Sequence, residues 1–246
     1  MFRHLTQLYG AKLGASDGDI GHVKDFYFDD QSWIVRYLVV DTGSWLTGRL
    51  VLLSPHAFAP EALGNAVAHD RSLAVNLTRK QIEGSPAIDT HRPVSRQFEA
   101  DYYRHYGWPT YWADGGMWGA ADFPTTETGT APAGPLHHGH NQRDDVHLRS
   151  TKAVTGYHLQ ATDGEVGSVR DFLFDGKIWT IRELIIDTGH WYARRELRLH
   201  VSKVARVSYE EARVFVNLPR SELHAPASNG EAKARTIRHS GTQTRD

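Results

Sequence analysis

Short runs of Val, Ile, Phe, Tyr and Trp recur along this chain, cut every few residues by Asp-Gly, Asp-Asp or Thr-Gly. Runs of that length and composition predict strands and tight turns. Ile20–Phe28 and Trp33–Asp41 read as a hairpin with residues 29–32 as its loop. With Phe28 opposite Trp33, the pairing sets Phe26 against Val35 and Asp25 against Arg36. Aromatic and opposite-charge cross-strand pairs of this kind each contribute about 0.2–1 kcal/mol. Leu38-Val39-Val40 is apolar on both faces, which predicts a central strand. Arg49–Leu53 and Val75–Leu77 read as later strands, with helical turns near 55–63 and 78–83.

The whole pattern then repeats. Residues 13–45 align without a gap on 159–191 at an offset of 146, and 17 of the 33 positions are identical. After the shared tryptophan the second copy gains two residues, so that VLLSP meets LHVSK, and the copies close on VNLTRKQI (75–82) and VNLPRSEL (216–223). The hairpin pairs recur as Phe174–Trp179, Phe172–Ile181 and Asp171–Arg182. Asp17-Gly18 and Asp163-Gly164 supply the preceding turn, where Gly accepts positive φ. Asp41-Thr42-Gly43 and Asp187-Thr188-Gly189 end the central strands. Two copies are too few for a solenoid, so each is expected to carry its own core. The organisation read from this is a first module at 1–90, a linker at 91–150, a second module at 151–223 and a disordered tail at 224–246. Duplication fits a pseudo-twofold pairing of the copies, while the long linker equally allows independent domains.

Several short strands with close turns suggest small closed or half-closed barrels, hence an all-β fold of two tandem barrels. The pattern D-G-x-(I/V)-G-x-V-x-D-F-x-F-D, a tryptophan, an apolar run and D-T-G-x-W resembles the PRC-barrel family, over about 1–90 and 151–223. That family is named after the cytoplasmic barrel of the photosynthetic reaction centre H subunit. Residues 85–112 also resemble the linker of bacterial tandem PRC-barrel proteins. The resemblance implies docking or assembly modules, including association at the edge of a membrane complex, and brings no catalytic residues with it.

Charge narrows the partners. Lys plus Arg number 28 against 29 for Asp plus Glu, so the basic excess expected of a protein that lives on phosphate backbones is missing. No nucleic-acid partner is expected. Cysteine is absent, which removes disulfides, thiolate metal sites and a thiol nucleophile, and fits a reducing compartment. Neither a signal-like apolar segment nor a run of the roughly 20 apolar residues that span a bilayer is visible, so a cytoplasmic location is expected.

Three features could carry chemistry. The two Asp-Thr-Gly motifs resemble those with which aspartic peptidases bring two carboxylates together, here Asp41 and Asp187. The simpler reading is a strand end capped by Asp before a Thr-Gly turn. His137, His138 and His140 could hold a metal ion, but their flanks read as solvated linker, so no metal site and no cofactor is expected. Residues 98–118 hold 8 of the chain's 26 aromatics. A short helix capped by Ser95 would place Phe98, Tyr102 and Tyr106 on one face and end at Gly107 and Pro109. Tyr102, Tyr106, Trp108, Tyr111 and Trp112 form a candidate partner-binding strip, because Tyr and Trp dominate interface hot spots. The competing reading lays the same strip against a barrel to complete its small core. The expectation is a non-enzymatic module that docks a protein partner, with self-association also open. A hydrolase through Asp41 and Asp187 and a metal or small-ligand carrier are the alternatives.

Overall fold

Each copy of the repeat forms a β-sheet, and each sheet borrows its last strand from the other copy. The computed structural model describes residues 2–58, 72–86, 96–108, 147–189 and 196–223. In chain order the strands are β1 (Phe2–His4), β2 (Lys12–Ala15), β3 (Gly18–Asp29), β4 (Val35–Asp41), β5 (Leu50–Leu53) and β6 (Ser72–Ala74), then β7 (Leu148–Ser150), β8 (His158–Ala161), β9 (Gly164–Asp175), β10 (Thr180–Asp187), β11 (Glu196–His200), β12 (Val204–Ser208) and β13 (Arg213–Val216). The helices are short: α1 (Arg79–Glu83), α2 (Arg96–Tyr106), α3 (Thr151–Val154) and α4 (Arg220–Leu223). The fold is mostly β. The first sheet runs β5-β4-β3-β2-β6 with β7 added beside β3, and the second runs β11-β10-β9-β8-β13-β12 with β1 added beside β9. Neither ladder closes on itself among the described residues.

The exchange is reciprocal. Phe2, Arg3 and His4 pair with Asp175, Phe174 and Leu173, while Leu148, Arg149 and Ser150 pair with Asp29, Phe28 and Tyr27. Residues 10–15 cover the first half of β3 from their own copy, and the entering strand of the other copy covers the second half. Two buried aspartates fix the crossing. Asp25 accepts from the Ser150 hydroxyl at 2.5 Å, the Thr151 hydroxyl at 2.9 Å and the Lys152 N–H at 3.1 Å. Asp171 accepts from the Thr6 hydroxyl at 2.6 Å, the Thr6 N–H at 3.2 Å and the Phe172 N–H at 2.7 Å, and also contacts His4 Nδ1 at 3.0 Å. Hydrogen bonds to a carboxylate are worth about twice a neutral one, and here they lie in low dielectric.

A second lock sits on the pseudo-twofold axis. Trp33 and Trp179 both have left-handed backbones, at φ 60 and 54. Each turns its carbonyl toward the other copy: Ile181 N–H donates to Trp33 O at 2.8 Å and Val35 N–H donates to Trp179 O at 2.7 Å. Ile34 and Thr180 form the antiparallel bridge between them. Left-handed φ is costly for a bulky residue and persists only where surroundings over-determine it. Here both indoles are buried, with Trp33 stacked on Phe28 at 5.4 Å and Trp179 against Phe174 at 5.6 Å. One continuous apolar core therefore runs through both copies, with Phe28 meeting Phe172 at 5.8 Å across the axis. The expectation of a separate core in each copy is corrected by that cluster. Small modules bury little alone, and joining them raises the buried fraction.

The hairpin register also differs from the sequence reading. Phe28 pairs with Val35, Phe26 with Leu38 and Asp25 with Val39, because bulges absorb extra residues along the strand. Arg36 is not opposite Asp25. It is buried and donates to Asp29 Oδ2 at 2.8 Å. Asp171 likewise faces Ile185 rather than Arg182. The two-residue insertion after the tryptophan is not there either. Leu38 pairs with Leu53 and Leu184 with Leu199, so the offset of 146 continues through both 3-10 turns, Pro55–Ala57 and Val201–Lys203.

The remaining repeat positions have structural roles in both copies. Asp17 and Asp163 accept from the N–H of Arg79 and Arg220, each at 2.8 Å, tying the turn to the first residue of α1 and of α4. Gly18 and Gly164 hold the wide positive φ of that turn. A Cβ on Gly21 or Gly167 would lie 2.0 or 2.2 Å from the carbonyl oxygen of Asp41 or Asp187, so only glycine fits there.

Two outcomes follow from the exchange. A chain cut by a specific protease at a site placed within 109–146 should still elute as one species under native conditions; separation of the halves would contradict the crossed strands. Asp25→Ala should lower unfolding free energy in urea by about 3 kcal/mol, since it strips several buried donors of one acceptor.

Candidate functional site

The outer face of the first sheet, on the side away from the shared core, carries Tyr37, Val39 and Leu52. Helix α2 lies on it and inserts Tyr102 and Tyr103, each 1% exposed. Glu99, Tyr102, Tyr103 and Tyr106 share one side of the helix at the i, i+3, i+4, i+7 spacing. The seating is polar as well as aromatic. Tyr37 donates to Glu99 at 2.7 Å, and Glu99 is fully buried. The Tyr102 hydroxyl accepts from Ser54 N–H at 2.8 Å and donates to Leu52 O at 3.2 Å. Tyr37 and Tyr102 meet edge to face at 5.4 Å. Gly107 takes a left-handed φ of 70, and Trp108 N–H bonds back to Tyr103 O at 3.0 Å, which ends the helix. The turn stacks Trp108 on Tyr106 at 4.6 Å.

Burial raises the ionisation of every phenol in this seat. Tyr37 and Tyr102 are pushed well up, and Tyr103 and Tyr106 to about 12, so all four stay neutral hydrogen-bonding groups. Asp29 moves the other way. Burial works against its charge, but the Ser32 N–H and hydroxyl, the Arg36 guanidinium and the Gln31 N–H together hold its carboxyl below the usual range.

The partner-binding strip expected from the sequence is therefore divided. Tyr102 is covered by the sheet rather than offered to a partner, a correction that follows from its burial. Tyr106 and Trp108 are partly buried against the same cluster. Tyr111, Trp112 and the histidines at 137, 138 and 140 lie outside the described residues, as do the Phe98 side chain and the tail from 224.

The same face of the second copy is built differently. At the offset of 146, Tyr27, Tyr37, Val39 and Leu52 become Leu173, Glu183, Ile185 and Arg198. Arg182 and Arg170 stand beside them on β10 and β9. Arg198 and Arg170 each lie 3.8 Å from Glu196, a loose pairing with both guanidiniums more than half exposed. Arg182 has no ion-pair or hydrogen-bond partner among the described residues. Glu183 Oε2 is buried without a hydrogen bond there. Among the described residues no helix lies on this face as α2 lies on the first, yet Leu173 and Ile185 on it are buried.

Asp41 and Asp187 are not brought together. Each accepts from the N–H of the glycine two residues on, Gly43 or Gly189, at 3.0 Å, as an Asx turn does. Their strands leave the Ile34–Thr180 bridge antiparallel, in opposite directions, so at about 3.3 Å per residue the carboxyls diverge along the molecule. Among the described residues no group of three or more His, Asp or Glu is placed to hold a metal ion, and no helix is long and apolar enough to cross a membrane.

Sequence reasoning missed the residues that meet Asp25 and Asp171. A faint signal existed: Arg3 and Gly10 recur as Arg149 and Gly156 at the same offset, which extends the repeat back to the crossing strands. It also missed the buried Glu99, since a charge among tyrosines reads as the solvated side of the helix.

The seat of α2 also contains a partly buried histidine. His56 lies 5.6 Å from the Trp108 ring and 6.4 Å from Tyr103, and burial pushes its pKa down from 6.5 to about 4. The unfolded chain thus binds the proton more readily between those values. Its contribution is intact above pH 6.5 and is lost as pH falls toward 4. Urea midpoints should decline across that window in the native chain and less steeply in His56→Gln. An NMR midpoint for His56 near 6.5 would refute the buried assignment.

No family model matches this chain, and no curated protein matches it.

Proposed function

We propose that the chain is a pair of PRC-like barrels acting as a non-enzymatic docking scaffold. The barrel reading is supported at the sheet ends. In the first copy, Phe58 bridges to Val75, linking the chain after β5 to the chain after β6. In the second, β11 passes through one 3-10 turn into β12, so the two edges of the sheet are consecutive in the chain. The resemblance of the repeat to PRC-barrels points the same way.

One observation carries the docking reading: the sheet face that seats α2 in the first copy carries exposed cationic side chains in the second, around a buried Ile185. A surface of this geometry takes an amphipathic helix, and the second copy has replaced its aromatic seat with Arg170, Arg182 and Arg198. The occupant that suits it is a helix of a protein partner bearing carboxylates toward those guanidiniums, since Arg recognises carboxylates in a forked geometry. A hydroxyl or amide of the same helix would satisfy Glu183 Oε2. This reverses the exchange in the first copy, where the sheet tyrosine donates to the helix glutamate. Hydrolysis through Asp41 and Asp187 has no comparable support.

The test compares affinity capture by the intact chain and by Arg182→Glu/Arg198→Glu, both checked for folding by circular dichroism. A protein whose acidic helix cross-links to this face, held by the first and lost by the second, supports the reading. A partner held equally by both, or none held by either, overturns it.

A further inference from the structure

The seat of α2 on the first sheet includes a side chain that the second copy supplies. Leu148, on the crossing strand β7, packs partly buried against the cluster of Tyr37, Val39, Leu52, Tyr102 and Tyr103. It stands opposite Asp29 in the ladder. At the offset of 146 the same place on the second sheet falls to Phe2, on β1 opposite Asp175. Phe2 is 57% exposed, and it and Tyr209 are the large apolar side chains left open among the described residues. A single exposed ring is ordinary on a protein surface. What distinguishes this one is its place, the position that helps to seat a helix in the sister copy.

The cation beside it differs in the same sense. Arg36 and Arg182 are the extra residues of equivalent bulges, passed over between Val35 and Tyr37 and between Ile181 and Glu183. A bulge re-aims the side chain it carries. Arg36 is buried and reaches Asp29, the residue opposite Leu148, at 2.8 Å. Arg182 is half-buried and makes no ion pair with Asp175, which stands in the place of Asp29. One corner of the second face thus offers an open ring and a guanidinium that no carboxylate engages. From there the face runs on to Arg198, across three strand spacings (β1-β9-β10-β11) and the length of β9 between Asp175 and Asp171. At about 4.8 Å per strand and 3.3 Å per residue the diagonal is about 20 Å. A helix covers it in on the order of 13 residues, close to the 11 residues of α2.

We propose that Phe2 is the apolar anchor of the second docking face, so that this face is built by both copies and is incomplete without the crossed strand. Its occupant is an amphipathic helix of a protein partner with an apolar side chain at one end, set on Phe2, and carboxylates behind it, the first of them on Arg182. The inference rests on the helix-docking reading and adds to it the residue that fixes which end of the helix lies where.

The probe is a labelled synthetic helix of about 14 residues, with Leu at one end and Glu at the i+4, i+7 and i+11 positions behind it, titrated by fluorescence anisotropy against the full chain. Phe2→Ser should weaken binding about tenfold, the effect of losing one interface anchor. Replacing the peptide's Leu by Ser should cost as much, and the two changes together no more than either alone, as a direct contact requires. Phe2→Leu, which installs the residue found at the first face, should keep the affinity of the native chain. The Phe2 side chain is exposed, so the melting temperature of Phe2→Ser should not move. Should that variant fail to fold, the peptide's Leu-to-Ser change decides, and unchanged affinity would sink the proposal. If Arg182→Glu loses the peptide while Phe2→Ser keeps it, docking on the guanidiniums stands and the anchor role falls. If the native chain does not bind the peptide, or Arg182→Glu and Phe2→Ser both bind it as the native chain does, both readings fall.

Discussion

The structure depends on two carboxylates that each serve the other half of the chain. Asp25 and Asp171 sit buried on the long strands, where an unpaired charge would be prohibitive. Their hydrogen-bond partners are the hydroxyls and amides of the segment that enters the opposite copy. Neither copy can satisfy its own aspartate from its own entering strand, because that strand has crossed over. The joined core, the bridge at Ile34 and Thr180, and the paired tryptophan carbonyls all lie around this exchange.

Much of this architecture was legible from side-chain pattern. The duplication, the strand character of 20–28 and 33–41, the Asp-Gly turns and the helix ending at Gly107 are local features. Turn chemistry and burial periodicity encode such features directly. What was not legible involves backbone geometry that letters do not carry. A tryptophan in a left-handed conformation reads like any strand aromatic, so side-chain pattern alone sets Trp33 in the ladder and Arg36 opposite Asp25. The bulge that makes Arg36 face Asp29 moves the register beyond it. Matching V-L-L-S to L-H-V-S introduced an insertion that strand pairing does not contain, because similar letters outweighed equal loop length. Strand exchange leaves almost no local trace, since each copy has an entering strand of three residues that could pair with either sheet.

The two copies keep the residues on the axis and diverge in the entering strands and on the outer faces. On the axis the pairs remain: Trp33 and Trp179, Asp25 and Asp171, Gly21 and Gly167. On the outer faces tyrosine has become glutamate and leucine has become arginine, and one copy carries a helix where the other is charged. Beside the axis a phenylalanine stands against a valine. The helix seat also shows why sequence gave two readings of residues 98–108. Tyrosine serves an interface and a small core by the same physics, an apolar body with a polar tip, and only the position of the sheet beneath decides between them.

The crossing of β7 onto β3 has a consequence for the order in which the molecule can be completed as it is made. The edge at Tyr27–Asp29 is finished only by Leu148–Ser150. At synthesis speeds of about 5–20 residues per second, the intervening chain takes on the order of ten seconds to emerge. Throughout that interval the first copy presents an open strand edge and an Asp25 carboxylate lacking its partners from the second. A neighbouring nascent chain on the same message presents the same edge, so the length of the linker is also a measure of how long each chain is exposed to the wrong mate.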